Sequence, residues 1–135
     1  MTGKRIRYFR GRKDLTQKEL GGLIGFSEST AEVRIAQYER GRRKPKQELI
    51  NKMAEVLDVN PHALMVPDLN TPVGVIHTMF ALEDEYGMRI VSKASDSEMD
   101  RLLEAYEYMR FFYTIGQISK EAYDKWRYNF DGDIE

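Results

Sequence analysis

The sequence predicts an all-α protein: a five-helix domain over residues 1–66, then a helical region of about three helices over 67–135, with room for one short strand. Three observations carry that prediction. Apolar residues recur at i, i+3 and i+4 through most of the chain. Hydroxyl and amide residues stand at helix starts, two followed directly by proline, and glycines stand at helix ends. A composition of 41% hydrophobic and 32% charged residues with four prolines suits a helix-rich globular protein.

Lys4 to Arg12 reads as a first helix with Ile6 and Phe9 inward, which leaves Lys4, Arg5, Arg7, Arg10 and Arg12 for solvent or phosphate. Lys13-Asp14 closes it. Thr16-Gln17-Lys18-Glu19 is a capping box, so a second helix runs from Gln17 to about Ile24, with Leu20, Leu23 and Ile24 as its buried stripe. Gly21 and Gly22 each cost that helix roughly 1 kcal/mol relative to Ala. A mid-helix glycine lets another helix approach closely, which suits Gly21; Gly22 has no such reason. Gly25 stops the helix and Phe26 turns toward the core.

Ser27 to Thr30 offers several N-caps, including a second capping box at Ser29 and Glu32. The third helix then spans about Thr30 to Arg40 and ends at Gly41. Ala31, Ile35 and Tyr38 point inward, and Glu32, Val33, Arg34, Ala36, Gln37 and Arg40 outward. Arg and Gln three apart on an exposed helix suit bidentate contacts with guanine and adenine edges; an ordinary solvated face is the plain alternative. Arg40-Gly41-Arg42-Arg43-Lys44-Pro45-Lys46 is a basic turn able to grip a sugar-phosphate backbone. A fourth helix from about Lys46 to Leu57 buries Ile50, Met53, Ala54 and Leu57. Asn60-Pro61 starts a short fifth one that ends near Met65.

In the second half, Thr71-Pro72 starts a helix to Tyr86 that buries Val73, Ile76, Met79, Phe80 and Leu82, with Gly87 as its stop. Met88 to Val91 is the candidate strand, and Ser92 to Ser97 a loop. Glu98 to Thr114 is a helix with Leu102, Tyr106, Met109 and Tyr113 on one face, widened by Leu103, Phe112 and Ile115. Ser119 caps a last helix to about Tyr128, with an Ile118–Tyr123 staple and a stripe of Tyr123, Trp126 and Phe130.

The net charge of −1 conceals an asymmetry: residues 1–66 hold 14 Lys and Arg against 8 Asp and Glu, and residues 67–135 hold 7 against 14. The halves are thus +6 and −7, so the first half attracts polyanions and the second does not. The absence of cysteine excludes disulfides, cysteine metal sites and a thiol nucleophile. The basic N-terminus lacks a following apolar run and no stretch nears the roughly 20 apolar residues of a membrane span, so a cytoplasmic protein without membrane contact is expected. His77 with Glu83-Asp84-Glu85 was the best metal or acid–base candidate, but i and i+6 do not share a helix face. No enzyme motif, metal site or cofactor is expected.

LTQKEL at Leu15–Leu20, Gly25-Phe26-Ser27, Ile35 to Gly41, Pro45 and MAEVLDVNPHAL at Met53–Leu64 together resemble the lambda-repressor-like helix-turn-helix domain of the Xre/Cro class. The resemblance covers roughly half the chain. It implies a sequence-specific DNA-binding transcriptional regulator, repressor and activator both being open, whose third helix enters the major groove of double-stranded DNA. It further implies that Gln17 anchors to phosphate and that Glu39 is structural. TAEVRIAQYERG is similar to regulators of Gram-positive phages and conjugative elements. One departure stands out: Ser27 to Glu39 is twelve residues where the pattern has about eight. Either the third helix starts a turn earlier, or the turn before it is a larger loop.

The expected base contacts are Ser29, Thr30, Glu32, Arg34 and Gln37, and the expected phosphate contacts Arg5, Gln17, Lys18, Arg40, Arg42, Arg43, Lys44 and Lys46. Tyr106, Met109, Tyr113, Tyr123, Trp126 and Phe130 form the expected dimer or partner interface, with a homodimer on paired half-sites as the leading arrangement and simple packing on the first domain as the alternative. The rival class is an antitoxin or adaptor whose C-terminal helices bind a protein partner.

Overall fold

The computed structural model describes residues 1–88 and 97–134. The fold is all-α, and every regular element among the described residues is a helix: α1 (Thr2–Arg12), α2 (Gln17–Leu23), α3 (Ala31–Glu39), α4 (Gln47–Leu57), α5 (Pro61–Leu64), α6 (Pro72–Tyr86), α7 (Glu98–Thr114) and α8 (Lys120–Asn129). Apart from Met88 and Ser97, the segments read as a strand and a loop lie outside the described residues. No described helix is long and apolar enough to cross a membrane. The chain divides into two compact units, Met1–Val66 and Pro67–Glu135.

In the first unit, Ile6, Phe9, Leu20, Ile24, Ala31, Ile35, Tyr38, Ile50, Met53, Ala54, Leu57, Ala63 and Leu64 form the core. Helix α2 packs on α3, and α1 on both α3 and α5. Leu23 departs from the expected stripe: it is 60% exposed, because α2 meets α3 closely at Gly21 and Leu23 stands about 160° round the helix from that position. The Gly21 approach is close. A Cβ there would stand 2.7 Å from Ala31 Cβ and 2.8 Å from its carbonyl oxygen, whereas one at Gly22 would meet nothing within 4 Å.

The helix ends are built as the sequence indicates. Thr16 and Glu19 close the capping box with bonds of 3.1 and 2.7 Å, and Thr16's amide and hydroxyl hold the Glu19 carboxyl below the ordinary range. Gly25 and Gly41 sit at φ +98° and +73°. At each, the next amide reaches back to the carbonyl three positions from the helix end, Phe26 to Gly21 at 2.9 Å and Arg42 to Gln37 at 3.0 Å, a Schellman closure.

The second unit is a three-helix arrangement around Ile76, Met79, Phe80, Leu102, Leu103, Tyr106, Tyr123 and Phe130. Thr71 and Ser119 accept the expected N-cap bonds, and Ser97, read as the end of a loop, caps α7 in a capping box with Asp100. Val73 and Leu82 are only half-buried, and Ile115, expected to widen the inner face of α7, is exposed at the end of the helix. Phe80 centres the aromatic packing, its ring 5.4 Å from Tyr106, 6.0 Å from Trp126 and 6.3 Å from Phe130.

A buried ionic cluster joins the three helices. Arg127, 1% exposed, donates to Glu83 at 3.1 Å and to Asp84 and Asp124 at 2.8 Å. Tyr106 and Tyr123 also donate to Glu83, and Arg110 pairs with it. The acidic run read as a candidate metal site therefore faces arginines and tyrosines. His77, buried on α6, donates Nε2–H to the Phe130 carbonyl at 2.6 Å and ties down the chain after α8. No group of three or more His, Asp or Glu among the described residues is placed to hold a metal ion.

Candidate nucleic-acid interface

The turn between α2 and α3 decides what α3 presents. Ser27 to Thr30 form one hydrogen-bonded turn: the Ser27 carbonyl accepts from Thr30 at 3.1 Å and from Ala31 at 2.9 Å, and the Ser27 and Thr30 hydroxyls meet at 2.8 Å. Residues 27–30 thus form a turn ahead of α3, and the capping box expected at Ser29 and Glu32 does not form. Thr30 occupies the cap position in helical backbone, with no side-chain bond to the helix.

Helix α3 buries Ala31, Ile35 and Tyr38. Ser29, Thr30 and Glu32 are exposed; Arg34 and Gln37 are half-buried. Val33, left out of the expected contacts because it is apolar, is 59% exposed on this surface. An exposed valine on such a helix can meet a thymine methyl, and its placement outside the inward spacing was the available signal.

Glu39 fixes the orientation of α3. As the last helical residue it carries a negative charge where the helix dipole disfavours one, and three donors offset this. Arg10 Nε and Nη2 bind it at 2.5 and 3.2 Å, and Gln17 Nε2 at 2.8 Å, so one carboxylate links α1, α2 and α3. Arg10, expected at the surface, also donates to the Leu15 carbonyl at 2.7 Å. Gln17 therefore directs its amide nitrogen to Glu39.

Arg5 is a correction. Arg5 shares the inner face of α1 with Ile6 and Phe9 and is 5% exposed, bonded through Nε to the Ala63 carbonyl at 3.4 Å and stacked on Tyr8 and Phe9. It is closed off from phosphate. Lys18, Arg40, Arg42, Arg43, Lys44 and Lys46 are exposed, with Lys18 3.0 Å from Glu28 in the turn before α3. Pro45 is buried and seats the basic turn on the core.

Tyr106, Tyr123 and Phe130, expected at an interface, instead lie in the core of the second unit, and Met109, Tyr113 and Trp126 pack against that core half-buried. Tyr113 and Tyr123 stack with centroids 5.0 Å apart. On α7 and at its C-cap the exposed apolar side chains are others: Tyr108, Phe111 and Ile115. Helical spacing alone gives α7 two apolar faces, and only the packing of α6 and α8 selects the inner one.

These features define a compact helical unit with two short helices joined by a turn, the second exposed and followed by a basic turn. Residues 6–64 match the family model described as Helix-turn-helix, and this match supports a DNA-binding helix-turn-helix regulator. No curated protein matches the chain.

Proposed function

We propose that the protein is a sequence-specific DNA-binding transcriptional regulator of cytoplasmic location, acting as a homodimer with α3 in the major groove. The observation that carries this reading is the exposed face of α3, held by the Arg10–Glu39–Gln17 link and continued by the exposed cations of residues 40–46. Ser29, Thr30, Glu32, Val33, Arg34 and Gln37 are the base-reading set. Lys18, Arg40, Arg42, Arg43, Lys44 and Lys46 are the phosphate set, with Gln17 beside them. Selection from a random duplex pool tests it: a defined motif is expected to enrich, and recovery of unrelated sequences alone would overturn it.

The dimer face we propose is the outer side of α7. Tyr108, Phe111, Phe112 and Ile115 follow i, i+3, i+4, i+7 spacing, and an antiparallel crossing on a two-fold axis sets Tyr108 against Ile115 and Phe111 against Phe112 of a second copy. Phe111→Asp in the full chain is expected to give a monomer in sedimentation; an unchanged size would exclude this face. A second reading, an adaptor or antitoxin that binds a protein partner, is favoured by a groove of about 610 Å³ in the second unit, floored by Met109, Trp126 and Phe130 and walled by Tyr108 and Ile134. Retention of partner binding without any enriched DNA motif would support it.

A further inference from the structure

Arg34 is held differently from Arg10 and Arg127. Arg10 and Arg127 are fixed by carboxylates. The Arg34 guanidinium instead lies over the Phe26 ring, its central carbon 3.9 Å from the centroid, and makes no side-chain hydrogen bond or ion pair with any described residue. Its Nε is enclosed and has no acceptor. Phe26 is itself steadied by Tyr38, with ring centroids 6.5 Å apart. It follows Gly25, so the Schellman closure that ends α2 also fixes where the ring stands.

We infer that Phe26 is a positioning residue that holds Arg34 as a preformed reader of one guanine, an inference that rests on the DNA-binding reading above. The physical grounds are these. A planar cation stacked on an aromatic face loses rotamer freedom before binding, so less entropy remains to be lost when it pairs with a base. Stacking occupies the face of the guanidinium and, with Nε enclosed, Nη1 and Nη2 are the in-plane donors that an outside acceptor would meet. Guanine O6 and N7 match that planar fork in a way that a single phosphate contact does not require. Gln37, three residues further along α3, has an enclosed side-chain oxygen that likewise has no partner among the described residues.

The test uses the full chain and the motif enriched from a random duplex pool, with every G·C pair of the motif replaced in turn. Arg34→Ala and Arg34→Lys are expected to abolish about tenfold or more of the preference at one G·C position, while affinity for unrelated duplex falls no further than loss of one charge allows. Phe26→Leu, which keeps apolar bulk without a π face, is expected to weaken preference at that same position about three- to tenfold, and Phe26→Tyr to retain it. Circular dichroism checks that each variant is folded. If Phe26→Leu lowers all sequences alike, or Arg34→Lys keeps the full preference, the positioning role is overturned. Failure of the wild-type chain to enrich any motif is a separate result, which removes the DNA reading as well.

Discussion

Two adjacent glycines separate local propensity from packing. At Gly21 the added methyl of alanine would press on the backbone of Ala31, which cannot move without displacing α3, so Gly21→Ala is expected to destabilise the first unit by about 1–3 kcal/mol. At Gly22 the same change meets open space on a solvent-facing turn of helix, and is expected to stabilise by about 0.5–1 kcal/mol. Urea titrations of the two variants, followed by far-UV circular dichroism, give opposite shifts of midpoint. The sequence alone supplied the reason for Gly21. It did not supply Arg5 or Arg10: both carry a full charge, and nothing in a linear pattern says that one enters the space between α1 and α5 while the other pairs with Glu39, 29 positions away.

Among the elements, α8 is the one whose burial rests on charge. Arg127 is enclosed with Glu83, Asp84 and Asp124, and carboxylates left buried without their cation are expensive. Arg127→Met is therefore expected to destabilise the second unit by about 3–5 kcal/mol, read in urea by the fluorescence of Trp126, the single tryptophan of the chain. The same cluster sets a pH window. Burial raises the Asp124 pKa, but hydrogen bonds and charge from Lys120 and Arg127 outweigh it and hold the carboxyl below 3.8. Its contribution is present at neutral pH and is lost as pH falls below about that value. Burial raises Tyr123 above 10.0 despite nearby arginines, so its contribution is present below pH 10 and is lost as pH rises through the folded-state value. The Trp126 unfolding midpoint is expected to fall on both sides of that range. A flat acid limb would remove Asp124 from the account. The elements themselves were legible to within about two residues, since caps and glycine stops are local chemistry; α7 matches its expected span at both ends.

For the whole molecule, the opposed charges of the two halves set the salt response. With Arg5 enclosed, the exposed cations of the expected phosphate set are those at 18, 40, 42, 43, 44 and 46. If five phosphates are neutralised per subunit, a dimer gives a log–log salt slope near about −9 and a monomer about half of that. A slope near zero would exclude the phosphate set. Replacing Arg43 by Ala is expected to weaken all duplexes alike, which separates it from Arg34.

The sequence by itself determined the helices, their caps and stops, the helix-turn-helix order and the basic turn, because each depends on residues within a few positions of one another. Tertiary structure alone decided the rest. It enclosed Arg5, turned Leu23 outward, put residues 27–30 into a turn before α3, laid Arg34 on Phe26, and drew Tyr106, Tyr123 and Phe130 into the core while Tyr108, Phe111 and Ile115 stayed exposed. A helix with two apolar faces, or a charged side chain of ordinary type, carries no local mark of its neighbour; only the element packed against it selects which face is hidden and which charge is paired.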